Sequence, residues 1–144
     1  MIAVGSDHRG YRVRQIIMKL LKEEGYQYKD FGAPDEQPID YPDVARVVGE
    51  EIARGAADRG ILVCGTGIGV CIAANKVKGI RAAMCYDTFC AMRSRQHNDA
   101  NVLCLPGDVA DIPIEEIVKT FLQTGFEGGR HQRRVDKITQ LENR

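Results

Sequence analysis

Short apolar runs rich in Val, Ile and Leu alternate along this chain with longer stretches in which apolar residues recur every three or four positions. The first pattern predicts strands and the second predicts helices. Met1–Gly5 is apolar and stops at the polar turn Ser6-Asp7-His8-Arg9-Gly10, which predicts a buried first strand. From Tyr11 to Glu24, Val13, Ile16, Ile17, Leu20 and Leu21 lie at helical spacing, and Gly25 ends the pattern. Tyr26–Phe31 predicts a second, half-polar strand. Gly32–Pro42 holds three of the five prolines and predicts a loop. Tyr41-Pro42-Asp43 then opens a helix to about Arg54, with Val44, Val47, Val48 and Ile52 inward.

The chain is organised around residues 61–75, ILVCGTGIGVCIAAN. The β-favouring run Ile61–Cys64 meets Gly65, Gly67 and Gly69, and a small-residue helical pattern, Val70–Asn75, follows at once. Beyond it, Ile80–Cys85 predicts a fourth strand and Asp87–Gln96 a helix. Asn101–Leu105 predicts a fifth strand and Pro113–Thr124 a helix, and after Gly128-Gly129 a charged terminal helix runs from Arg130 to about Glu142. This alternation implies a single α/β domain over 1–144: a three-layer sandwich with a Rossmann-like parallel five-stranded sheet and helices on both faces. Ligands of such sheets bind beyond the carboxyl ends of the strands, where Asp7-His8 and Cys64–Gly69 fall.

Charge and cysteine content narrow the function. Twenty basic and twenty acidic residues cancel, which speaks against a nucleic-acid or membrane-surface binder working through bulk charge and for a small partner. Five cysteines without paired spacing, in a chain lacking a signal-peptide pattern, imply reduced thiols and a cytoplasmic location. No apolar run is long enough to span a membrane.

The glycine loop fits none of the commonest phosphate-binding patterns. Its spacing from Gly65 is G-x-G-x-G, with Val70 where a dinucleotide fingerprint needs the last glycine, and Lys76 comes too late for a P-loop. Val70 also occupies the place where a cysteine phosphatase loop needs arginine. The three histidines and five cysteines show no CxxC or HxxxH pairing, so the case for a bound metal is weak. What remains is a thiol, Cys64, at the edge of an amide-lined hollow with Thr66 beside it. Those parts suit removal of a proton from carbon next to a carbonyl, where each donor to the developing oxyanion is worth roughly 3 kcal/mol. The alternative is that Cys64 is a small buried residue ending a strand. Arg130 and Arg134, at i and i+4, share one helix face and could grip a phosphate or simply be solvated. His131 reads as structural or exposed.

SDHRGY at 6–11, DYPD at 40–43, CGTGIG at 64–69 with IAANK at 72–76, GIRAA at 79–83, SRQHNDAN at 94–101 and EGGRHQRRV at 127–135 resemble the type B ribose-5-phosphate isomerases and their galactose- and allose-6-phosphate relatives. The resemblance spans nearly the whole chain. It implies that Cys64 is the base moving a proton between C1 and C2, with Gly65, Thr66, Gly67, Ile68 and Gly69 stabilising a cis-enediolate. It further implies that His97 opens the sugar ring with help from Asp7, that Asn98 holds a hydroxyl, that His8, Arg130 and Arg134 surround the phosphate, and that no metal or organic cofactor takes part. One position departs from the pattern: Asp108 stands where the family usually has a phosphate-binding arginine. Either another cation, such as Arg9 or Arg133, compensates, or the substrate differs at that end.

His97 precedes the fifth strand and so belongs at the amino edge of the sheet, whereas Cys64 lies at the carboxyl edge. A five-residue strand spans roughly 17 Å, too far for both to touch one small sugar within a chain. A homodimer with sites shared between chains is therefore expected, with a tetramer as the larger alternative. The expected activity is interconversion of ribose 5-phosphate and ribulose 5-phosphate. The alternatives are a 6-phosphorylated hexose isomerase and a non-catalytic sugar-phosphate-binding module.

Overall fold

The computed structural model describes residues 1–143. Five strands pair in parallel in the order β2-β1-β3-β5-β4: β1 (Ile2–Ser6), β2 (Tyr28–Asp30), β3 (Arg59–Cys64), β4 (Ala82–Met84) and β5 (Val102–Pro106). Between and after them run α1 (Tyr11–Glu23), α2 (Tyr41–Ala53), α3 (Ile68–Ala74), α4 (Thr88–Gln96), α5 (Ile114–Gln123) and α6 (Arg130–Leu141). Strand alternation divides the core. Val4, Ile61, Val63, Leu103 and Leu105 face α1, α4 and α5, while Ala3, Leu62, Cys64, Val102 and Cys104 face α2 and α3. This is the three-layer sandwich expected from the sequence.

The two edge strands are shorter than their apolar patterns suggest. β2 pairs only with β1, over Ile2↔Tyr28 to Val4↔Asp30, and β4 only with β5. Ile80 and Cys85, read as strand ends, are buried core residues flanking β4, although the Cys85 amide still donates to the Cys104 carbonyl of β5 at 3.1 Å. In α1 the inward face is rotated from the expected one: Ile16 is 44% exposed, while Arg14 is buried. Arg14 reaches Asp30 and the Ala33 carbonyl, so it ties α1 to the end of β2 and the loop beyond it. Burying that cation is tolerable because both partners accept hydrogen bonds from it.

β1 and β3 are neighbours whose following helices, α1 and α3, leave to opposite faces, so a crevice opens between their carboxyl ends. Three turns are stitched together there. Asp7 N–H donates to the Val63 carbonyl at 3.2 Å, Gly107 N–H to Cys64 at 2.8 Å and Asp108 N–H to Gly65 at 3.0 Å. A Cβ on Gly107 would lie 2.4 Å from the Arg9 carbonyl oxygen, so only glycine lets the turns after β1 and β5 stack this closely. Among the described residues, no helix is long and apolar enough to cross a membrane.

Candidate active site

Cys64 ends β3 in register with Pro106 of β5, so its position rests on the most buried part of the sheet. It is 5% exposed and packs with Leu62, Val70 and Cys104, yet it also lines a cavity of about 650 Å³. That cavity is bounded by Asp7, His8 and Arg9, by Ile39, Asp40 and Tyr41, by Gly65, Thr66, Ile68, Gly69 and Ile72, and by Asp108. The thiol is thus a core residue on one side and an accessible group on the other.

The loop after Cys64 turns because Gly67 takes a left-handed conformation, φ +79°, and the helix starts at Ile68, two residues earlier than the apolar pattern predicts. Thr66 Oγ1 accepts from the Ile68 amide at 3.2 Å, and the Tyr86 hydroxyl donates to the Thr66 carbonyl at 2.9 Å. Among the described residues the amides of Gly65, Thr66 and Gly67 have no acceptor; Gly65 and Thr66 line the cavity, whereas Gly67 is buried and does not. Tyr41 forms the opposite wall, with its ring so close to Gly69 that a Cβ there would lie 2.6 Å from Cε1.

Asp7 and His8 are each partly committed to structure. Asp7 is buried, and its Oδ1 accepts from the amides of Arg9 at 3.0 Å and Gly10 at 3.1 Å, capping the 3-10 turn His8–Gly10. His8 Nδ1 accepts from the Ile39 amide at 3.3 Å, which leaves Nε2 as the donor available to a ligand.

The other predicted site residues lie elsewhere. His97 caps the C-terminus of α4, five residues before β5, at the opposite edge of the sheet from Cys64. Its ring stacks on His131 of α6 at 4.1 Å between centroids, and its Nε2 is 3.7 Å from Glu127 Oε1. His131 is therefore buried rather than exposed, and burial, followed by the charges of His97 and Arg130, pushes its pKa below the usual imidazole range. Arg130 and Arg134 extend from the same helix into solvent. Asn98 is exposed and lines a separate cavity of about 570 Å³ between the β4 edge and α6.

His97, Glu127 and His131 place their ligand atoms within 4.8 Å of one another. Two rings stacked only 11° from parallel cannot aim in-plane lone pairs at one ion, so this arrangement is a stack rather than a metal centre.

The candidate residues therefore fall in two groups, one around the Cys64 thiol and one around the His97 imidazole, at opposite ends of the sheet. The sequence profile described as Ribose/Galactose Isomerase matches residues 2–138. The chain belongs to that family. Ribose-5-phosphate isomerase B of Escherichia coli is 44% identical, over 99% of this chain and 97% of the relative. A putative sugar phosphate isomerase of Bacillus subtilis is 46% identical over the same shares. Among solved structures, ribose-5-phosphate isomerase B of Clostridium thermocellum superposes with a TM-score of 0.96 at 48% identity, covering 99% of this chain and 97% of that one. The Mycoplasma genitalium enzyme with bound ribulose 5-phosphate gives 0.93 at 46% identity, covering 99% and 95%.

Within this family architecture, position 108 is explained by its neighbour. The Asp108 carboxylate accepts from Arg9 Nη1 at 3.0 Å, so the anion at the mouth is already paired with a cation from the first turn. Tyr41 was missed as a wall residue, because DYPD reads only as a helix start. No periodicity marks a ring that crosses from α2 to the glycine loop.

Proposed function

We propose that the chain is an aldose–ketose isomerase that interconverts ribose 5-phosphate and ribulose 5-phosphate. The observation that carries this reading is the placement of Cys64: a thiol at the end of a central strand, facing a cavity whose adjoining loop presents unpaired amides. Family membership and the named activities of the relatives support it.

In this reading the Cys64 thiolate takes the proton from C2 of the open-chain aldose. Charge then develops on the C1 oxygen, where the Gly65–Gly69 loop stabilises it, and the thiol returns the proton to C1. Thr66 steadies the proton shared between the two enediolate oxygens. His97 opens the furanose with help from Asp7, Asn98 holds a sugar hydroxyl, and His8, Arg130 and Arg134 receive the phosphate.

Because His97, Asn98, Arg130 and Arg134 lie away from the Cys64 cavity, this assignment requires a homodimer in which a second copy supplies them. Exposed Ile68 and Ile72, one turn apart on α3 and both flanking the cavity, provide an apolar surface for that copy.

The test is turnover of ribose 5-phosphate in heavy water. The wild-type chain is expected to form ribulose 5-phosphate with solvent deuterium at C1. Cys64→Ala should lose about 10³-fold in rate while keeping its far-UV circular dichroism. A Cys64→Ala protein with near-normal turnover refutes the assignment.

A further inference from the structure

The ion pair between Arg9 and Asp108 joins residues 99 positions apart, and both side chains are largely exposed, 63% and 47%. Pairs this exposed add little to stability, so the fold alone does not account for it. Its placement is specific. Arg9 N–H is held by Asp7 Oδ1, and Asp108 N–H is held by the Gly65 carbonyl beside Cys64. The carboxylate lies directly over the glycine loop: a Cβ on Gly65 would be 2.8 Å from Asp108 Oδ2 and 3.2 Å from Arg9 Cδ. His8, Arg9 and Asp108 line both the Cys64 cavity and a second cavity of about 430 Å³, which Arg12, Glu36 and Gly107 complete. The pair is the partition between the two.

A guanidinium has five N–H donors, and Asp108 engages one of Arg9's nitrogens. The remaining donors are available to a second anion, and a phosphate monoester, with more oxygens and more charge than a carboxylate, is the ligand a planar fork grips best. An unpaired arginine on this exposed turn would sample many rotamers. Held against the loop by Asp108, it loses that freedom before the ligand arrives. We infer that Arg9 binds the phosphate end of the sugar phosphate across the partition from Cys64, and that Asp108 is the positioning residue that holds its guanidinium there. The inference rests on the isomerase reading above for the identity of the ligand.

The experiment is a double-mutant cycle on Arg9→Gln and Asp108→Asn, read by calorimetry with inorganic phosphate and by steady-state kinetics with ribose 5-phosphate. Arg9→Gln is expected to weaken phosphate binding about tenfold, with the kinetic loss falling on KM rather than kcat. In the Asp108→Asn background the same substitution should cost less than threefold, because the cation is no longer held. An Arg9→Gln protein that binds phosphate within threefold of wild type overturns the inference, and an equal Arg9 penalty in both backgrounds removes the role of Asp108. Phosphate binding needs no turnover. Arg9-dependent binding in a protein that isomerises no sugar phosphate would therefore refute the isomerase reading while leaving the anion site standing.

Discussion

Cys64 is not the only thiol near the loop. Cys71, one turn into α3, is half-buried, and its pKa is pulled down to about 7 by a hydrogen bond with the Cys104 thiol, against the effect of burial. Exposed Cys90 shifts the other way, because the Asp87 carboxylate beside it disfavours the thiolate. Alkylation follows thiolate population, so iodoacetamide labelling of Cys71 should rise through a midpoint near 7, while labelling of Cys90 should rise only at higher pH. Peptide mapping by mass spectrometry across a pH series checks the order, and earlier labelling of Cys90 would contradict it. At this scale the sequence was informative where chemistry and local pattern coincide, as at Cys64 and its glycines. It was silent on Arg14 and Tyr41, and offered Arg9 only as one of two cations that could offset Asp108, because their roles depend on partners far away in the chain: an isolated arginine on a helix does not reveal that Asp30 and Ala33 will bury it.

Among the elements, the three turns after β1, β3 and β5 act as one unit, since the turns after β1 and β5 both donate backbone hydrogen bonds to the end of β3 and its turn. Gly107 sits where two of them touch. Gly107→Ala would drive a methyl group into the Arg9 backbone, and backbone cannot rotate aside as a side chain can. The expected cost is about 1–3 kcal/mol of stability, with a loss of activity larger than that destabilisation alone explains, because the displaced turns carry Asp7 and Cys64. Thermal unfolding alongside kinetics measures both, and an alanine variant with unchanged melting and turnover would show the turns to be independent. Strand and helix order was legible from periodicity, as were most helix limits. The edge strands were not, because a strand's length depends on how far its neighbour accompanies it, and β2 and β4 each have one neighbour.

For the whole molecule, the decisive feature is that one set of candidate groups lies at each end of the sheet. The sequence order of His97 and the fifth strand was enough to anticipate this separation. The stacking of His97 on His131 was not, because it depends on where α6 folds back. Separation gives a direct test of the proposed dimer. Mixing inactive Cys64→Ala and His97→Asn chains, with subunit exchange, should restore activity: each mixed dimer would own one intact site and one doubly defective site. With random pairing of equal amounts, about one quarter of wild-type activity is expected. No recovery after verified exchange would mean that the two groups do not meet across chains.

The contact between His97 and His131 also bears on the order in which the protein is made. Every residue from Cys64 through Asp108 is joined to the chain before α6 is, so the thiol end is complete in sequence before the partner of His97 exists. His97 finds its stacking partner only once α6 has been made and has folded back against it.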